Sequence, residues 1–200
     1  MRAAILHLKK ADPVMKQIIE SVGPYRIQRR EPTFETLARS IVYQQVSGKA
    51  AASIFARVRK AAGPRFTARS VLRLKPEELR ACGLSNQKAT YMLDLAEHVV
   101  TRKINFKRLM ELPDDDVIEQ LTRVKGIGVW TVQMFLIFAL ERLDILPLAD
   151  LGVRNAVYKA YGLPEHPKPA DLVRIAEKWR PYCSVAIWYL WRSLDGPAAL

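Results

Sequence analysis

Cysteine is almost missing from this chain: Cys82 and Cys183 stand alone and far apart. Two isolated thiols exclude a disulfide scaffold, a CxxC redox site and a four-cysteine iron–sulfur cluster. Histidine is nearly as scarce, and His7, His98 and His166 are too scattered for a zinc-ligand pattern, so no metal site is expected. The longest apolar run, near Val129 to Leu140, is broken by Thr131 and Gln133 and is too short to cross a bilayer. The opening MRAAILHLKKAD holds only a brief apolar patch and no convincing cleavage site, so a signal peptide is not expected and the location defaults to the cytoplasm. Low-complexity stretches, internal repeats, flexible linkers and strand-like alternation are all lacking. What remains is a folded, helical chain without a membrane partner.

Charge of one sign is plentiful. The formal net charge is +12, unevenly spread: residues 1–60 carry 12 basic against 4 acidic side chains, whereas residues 111–150 carry 3 against 8. A basic excess favours polyanions through counterion release, although it also serves solubility alone. Charge therefore nominates nucleic acid and goes no further.

Helical periodicity runs nearly throughout. DPVMKQIIESVG offers an Asp cap, Pro at the first helical position and a closing Gly23. In TFETLARSIVYQQVSGKAAASIFARVRKAAG, Phe34, Leu37, Ile41 and Val42 form one stripe and Ile54, Phe55 and Val58 a later one, with Ser47-Gly48 marking a joint. NQKATYMLDLAEHVV and PDDDVIEQLTRV follow, the second with acidic residues suited to a helix start. VWTVQMFLIFAL is apolar nearly all round and predicts a buried central helix. DLGVRNAVYKAYG, ADLVRIAEKWR and YCSVAIWYLWRSL complete an all-α set.

Two stretches carry chemistry. Lys125, Gly126, Ile127 and Gly128 join two helical patterns. Glycines there let another backbone come close, and the amides of the following helix would form an anion site indifferent to DNA sequence. A tight turn would use the same residues. Asp150 opens the next helix but one, either as an ordinary N-cap or as a carboxylate kept ionised by the helix dipole. Spacing alone does not choose.

Taken in order, SIVYQQVSGKAAASIF, LSNQKATYMLDLAEHV, VKGIG, LPLADLGVRNAV and RPYCSVAIWYLW resemble the helix-hairpin-helix superfamily of DNA glycosylases, and within it the DNA-3-methyladenine glycosylase II family. The similarity runs from about Phe34 to Trp191 and suggests a short form without the N-terminal sheet domain of longer homologues.

The resemblance implies the rest. The fold would be all-α, one glycosylase domain of two helical lobes around an active-site cleft, with a middle lobe of about 65–150 carrying the hairpin 124–129. Asp150 matches the catalytic aspartate, and Lys125 to Gly128 match the hairpin that holds a phosphate. Trp188 matches an aromatic lining the base pocket; Trp130 and Met134 take two further pocket positions, the latter where relatives can carry Tyr. Trp179 and Trp191 are left to packing. Gln44 and Gln45 match the segment that enters DNA, about 100° apart on their helix, and either could be the wedge. Bifunctional relatives place a lysine where this chain has Trp130, so water is the expected nucleophile and strand cleavage is not expected. No cofactor is implied, and a structural monovalent cation at the hairpin is left open. The expected partner is damaged double-stranded DNA, the expected state a monomer. The expected activity is excision of alkylated purines of the 3-methyladenine and 7-methylguanine type. The alternatives are a same-fold enzyme for ethenoadenine or deaminated bases and a non-catalytic DNA-binding module.

Overall fold

A computed structural model describes residues 1–194, and among these no strand occurs. The helices are, in chain order, α1 (Arg2–Ala11), α2 (Pro13–Val22), α3 (Phe34–Tyr43), α4 (Gly48–Ala62), α5 (Ala68–Val71), α6 (Pro76–Ala81) and α7 (Asn86–Val100). They continue with α8 (Phe106–Leu109), α9 (Asp114–Thr122), α10 (Val129–Phe138), α11 (Leu151–Ala160), α12 (Pro169–Ala176) and α13 (Cys183–Leu194). A 3-10 turn over Glu177–Trp179 sits between the last two. Helix α1 was expected only as an apolar patch; Ala4 and Leu8, four apart, give it a buried stripe.

The chain forms two compact units: Met1–Arg29 with Leu136 onward, and Arg30–Phe135. The hairpin's unit therefore starts at Arg30, not near residue 65, and ends at Phe135, not near 150. Packing is the reason, because α3 as well as α5 and α6 lies against α7, and α4 lies against α3. Phe66 ties this region together, 5.5 Å from the Phe34 ring and 5.4 Å from Phe55. Asp150 consequently belongs to the discontinuous unit.

The core of that unit joins residues distant in sequence: Leu8, Met15 and Ile19 meet Val153, Leu172, Trp179 and Tyr189. Asp12 binds its first helices to its last. One carboxylate oxygen caps α2 through the amides of Val14 (3.0 Å) and Met15 (3.4 Å). The other accepts the Tyr161 hydroxyl at 2.6 Å and the Trp179 indole N–H at 3.2 Å. A buried carboxylate with four donors has its desolvation offset, and burial together with the Asp12 hydrogen bond drives the Tyr161 hydroxyl's pKa far above its ordinary value.

Helix α10 departs from its expected burial all round. Val132 and Leu136 are buried, but Val129 is 51% and Trp130 46% exposed. In its first turn Val129 and Trp130 face outward at the mouth of the hairpin, while Thr131 and Val132 are buried.

Candidate functional site

The hairpin's two glycines have different causes. Gly126 adopts φ +80°, and a Cβ there would lie 2.0 Å from the Tyr91 ring, so no side chain fits. Gly128 has ordinary backbone angles, and a Cβ would meet nothing within 4 Å. Its space opens outward. Ile127 is buried between them, and its amide donates to Val124 O at 3.1 Å. The first intrahelical bond of α10 runs from Val132 N to Gly128 O at 3.1 Å, so the amides before it lack intrahelical acceptors and give the hairpin mouth a partial positive charge. Lys125 is less available than expected. Its amide donates to Asp94 Oδ2 at 2.9 Å, and its exposed ammonium stands 3.5 Å from Asp94 Oδ1.

Gln44 and Gln45 do not lie on a helix. Helix α3 ends at Tyr43, and Gln44, its C-cap, is extended at φ −58° and ψ 126°. Gln45 is left-handed at φ 54°, a conformation costing a side-chain residue about 1–2 kcal/mol. The joint at Ser47-Gly48 opens the next helix, and the pair falls in the break before it. Their side chains part company: the Gln44 amide donates to Gly126 O at 2.8 Å, while Gln45 is exposed. Lys88 from α7 donates to Val42 O (2.8 Å) and Gln44 O (2.6 Å), and burial lowers the pKa of this ammonium. Gln44, Gln45, Tyr91, Gly126 and Trp130 line a cavity of about 670 Å³ within this unit. Met134, one turn after Trp130, is half-buried and is not among the lining residues.

The discontinuous unit holds the carboxylate. Asp150 is the N-cap of α11 and only 7% exposed. Its Oδ1 accepts the Val153 amide at 2.7 Å and the Trp191 indole N–H at 3.0 Å. Asp150 is thus an N-cap whose carboxylate is also buried and held in place. Gly152 makes room for the arrangement: a Cβ there would stand 3.1 Å from Asp150 Oδ1 and 3.1 Å from Trp191 Cδ1. Trp191 is further held by stacking on Phe138, centroids 5.9 Å apart and planes at 13°.

Trp191 had been left to packing, yet it is the aromatic that touches Asp150. Its signal was available in kind: an indole N–H on an apolar helix needs an acceptor. Trp188, expected in the base pocket, is buried against Tyr25 at 4.6 Å and forms with Trp191, Phe138, Arg26 and Arg192 part of the wall of a cavity of about 500 Å³. Burial and the nearby Tyr189 raise the Tyr25 hydroxyl to about 12. Trp179 is fully buried in the core, as expected. The structure therefore groups Gln44, Gln45, Gly126 and Trp130 in one unit, and Asp150, Trp188 and Trp191 in the other.

Comparison with known proteins places this geometry in a family. Residues 38–181 match the profile described as HhH-GPD superfamily base excision DNA repair protein. The chain is 36% identical over 197 residues to DNA-3-methyladenine glycosylase 1 of Schizosaccharomyces pombe, covering 95% of this chain and 86% of that protein. The solved structure of a Schizosaccharomyces pombe 3-methyladenine DNA glycosylase in complex with abasic DNA superposes with a TM-score of 0.86 at 33% identity, covering 99% of both chains. A DNA-3-methyladenine glycosidase from Bacillus halodurans gives a TM-score of 0.89 at 34% identity, covering 98% of this chain and 90% of that one.

Proposed function

The chain belongs to the HhH-GPD superfamily of base excision DNA repair proteins, and from that premise we propose that it is a DNA glycosylase. It removes alkylated purines from duplex DNA by hydrolysis and leaves an abasic site. The observation that carries the mechanism is Asp150, buried at a helix N-terminus with Oδ1 held by the Val153 amide and the Trp191 indole. Two donors fix the direction of that oxygen.

An N3- or N7-alkylated purine is a cation, so it needs no strong acid to leave. As the C1′–N bond breaks, its electron pair returns to the purine and cancels that charge. Positive charge then develops on the sugar, as in glycoside hydrolysis, and a fixed carboxylate stabilises it. Water adds at C1′ and gives up a proton, which Asp150 can accept. By resemblance, Trp130 takes the sequence position at which bifunctional relatives carry a lysine, so this reading includes no Schiff base and no strand cleavage.

The other residues prepare the substrate. The outward-facing amides at Gly128 and the start of α10 take a phosphate, with Lys125 adding charge that Asp94 partly offsets. Gln45, exposed and left-handed, fills the gap left by the extruded nucleotide, because the Gln44 amide is already bound to Gly126. Trp130 and Trp188 present electron-rich faces that suit a cationic base. Met134, half-buried one turn beyond Trp130, offers no π system there.

The test is free-base release from methylated duplex DNA by wild type and Asp150→Asn, with strand nicking followed in the same tubes. Release by wild type alone, without nicking, is the expected result. Normal release by Asp150→Asn would overturn the mechanism, and nicking would overturn its monofunctional part. Duplexes carrying ethenoadenine or hypoxanthine, run in parallel, separate cationic from neutral leaving groups.

A further inference from the structure

A helix leaves its last carbonyls without partners, and something outside it must satisfy them. At the end of α3 that role falls to Lys88, whose Nζ donates to Val42 O at 2.8 Å and Gln44 O at 2.6 Å. A cation there also answers the negative end of the helix dipole. Directly afterwards comes Gln45 at φ 54°, an angle that persists in a side-chain residue only where its surroundings enforce it. The Gln44 side chain anchors the same break to Gly126 O at 2.8 Å. Gln45 is thus preceded by a main chain gripped by one ammonium and by a side chain gripped by the hairpin.

We propose that Lys88 is a positioning residue for the DNA-penetrating side chain: by holding the end of α3 it keeps Gln45 in the left-handed pose in which it enters the duplex. The proposal rests on the assignment of Gln45 as the wedge. Its consequence is preorganisation. The loop is ordered before DNA arrives, so the ordering cost is not charged to the complex. A Lys ammonium has three donors, two of which the carbonyls use, so one remains that could reach a phosphate directly. The two roles differ in salt dependence, since a phosphate contact contributes to counterion release and a main-chain brace does not.

The experiment measures dissociation constants for a duplex carrying a tetrahydrofuran abasic analogue and for the same duplex intact, across a salt series. The proteins are wild type, Lys88→Met, Gln45→Ala and the double variant. Lys88→Met keeps the aliphatic stem and removes the donors. It is expected to weaken abasic-duplex binding about tenfold, roughly the effect of losing one hydrogen bond to a charged group. Intact-duplex affinity and the salt slope should stay as in wild type, and the double variant should be no weaker than Gln45→Ala. Four results would overturn the proposal: unchanged abasic affinity, a salt slope lower by about one with both duplexes weakened, losses that add in the double variant, or an ineffective Gln45→Ala. The last rejects the wedge assignment itself, whereas the others leave it standing; a wild type that binds neither duplex rejects the DNA-repair function. Should Lys88→Met not fold, Gln44→Ala cuts the brace on the hairpin side and enters the same cycle with the same outcomes.

Discussion

Replacing Trp191 by Phe removes one N–H donor and leaves an aromatic ring that can still stack on Phe138. The lost bond is the 3.0 Å contact to Asp150 Oδ1, made to a carboxylate only 7% exposed. Hydrogen bonds to charged groups contribute about 1.5–3 kcal/mol. With about 1.4 kcal/mol per factor of ten, the full loss corresponds to a rate reduction of roughly 10- to 150-fold. The Val153 amide still holds the same oxygen at 2.7 Å, which restrains the carboxylate. The lower part of the range is therefore expected, about 10- to 30-fold. Single-turnover release of a methylated base reads the chemical step, while the dissociation constant for abasic DNA and the melting temperature report binding and folding. The expected pattern is a slower release with DNA affinity within about twofold of wild type. Release within twofold of wild type, beside an inactive Asp150→Asn, would refute the idea that the indole N–H aims the carboxylate.

The two hairpin glycines should fail in opposite ways. Gly126→Ala combines a left-handed alanine, about 1–2 kcal/mol, with a clash against Tyr91, about 1–3 kcal/mol. For a chain of this size thermal melting should fall by roughly 4–20 °C, and an unchanged melting temperature would contradict the packing described. Gly128→Val has ordinary angles and open space, so stability should hold while affinity for damaged duplex drops. Equal affinity would count against a phosphate approaching there.

Local physics was legible in the sequence. The Asp12-Pro13 start, the Asp150 cap and the 3.6-residue stripes each depend on neighbours within a turn or two, and each matches an observed boundary or buried face. The hairpin's position was legible as well, because glycines interrupt two strong helical patterns. The division of labour inside those motifs was not. Gly126 and Gly128 look alike until Tyr91, 35 residues upstream, is brought against one of them. Gln44 and Gln45 look like a helical pair until Gly126 claims one amide across 82 residues. Trp191 looks like packing until a contact 41 residues back reaches Asp150. Long-range contacts also decided the unit boundary, since nothing local says that α3 must join α7.

The discontinuous unit has a bearing on synthesis. Asp12 waits for Tyr161, 149 residues later, and for Trp179, 167 residues later. At about 5–20 residues per second the ribosome takes on the order of ten to thirty seconds to supply them. Through that interval Leu8 and Met15 lack the later residues that bury them, while the residues of Arg30–Phe135 are all supplied earlier. The apolar faces of α1 and α2 are thus fully covered only by residues made more than a hundred positions later, which makes their burial a late step in synthesis.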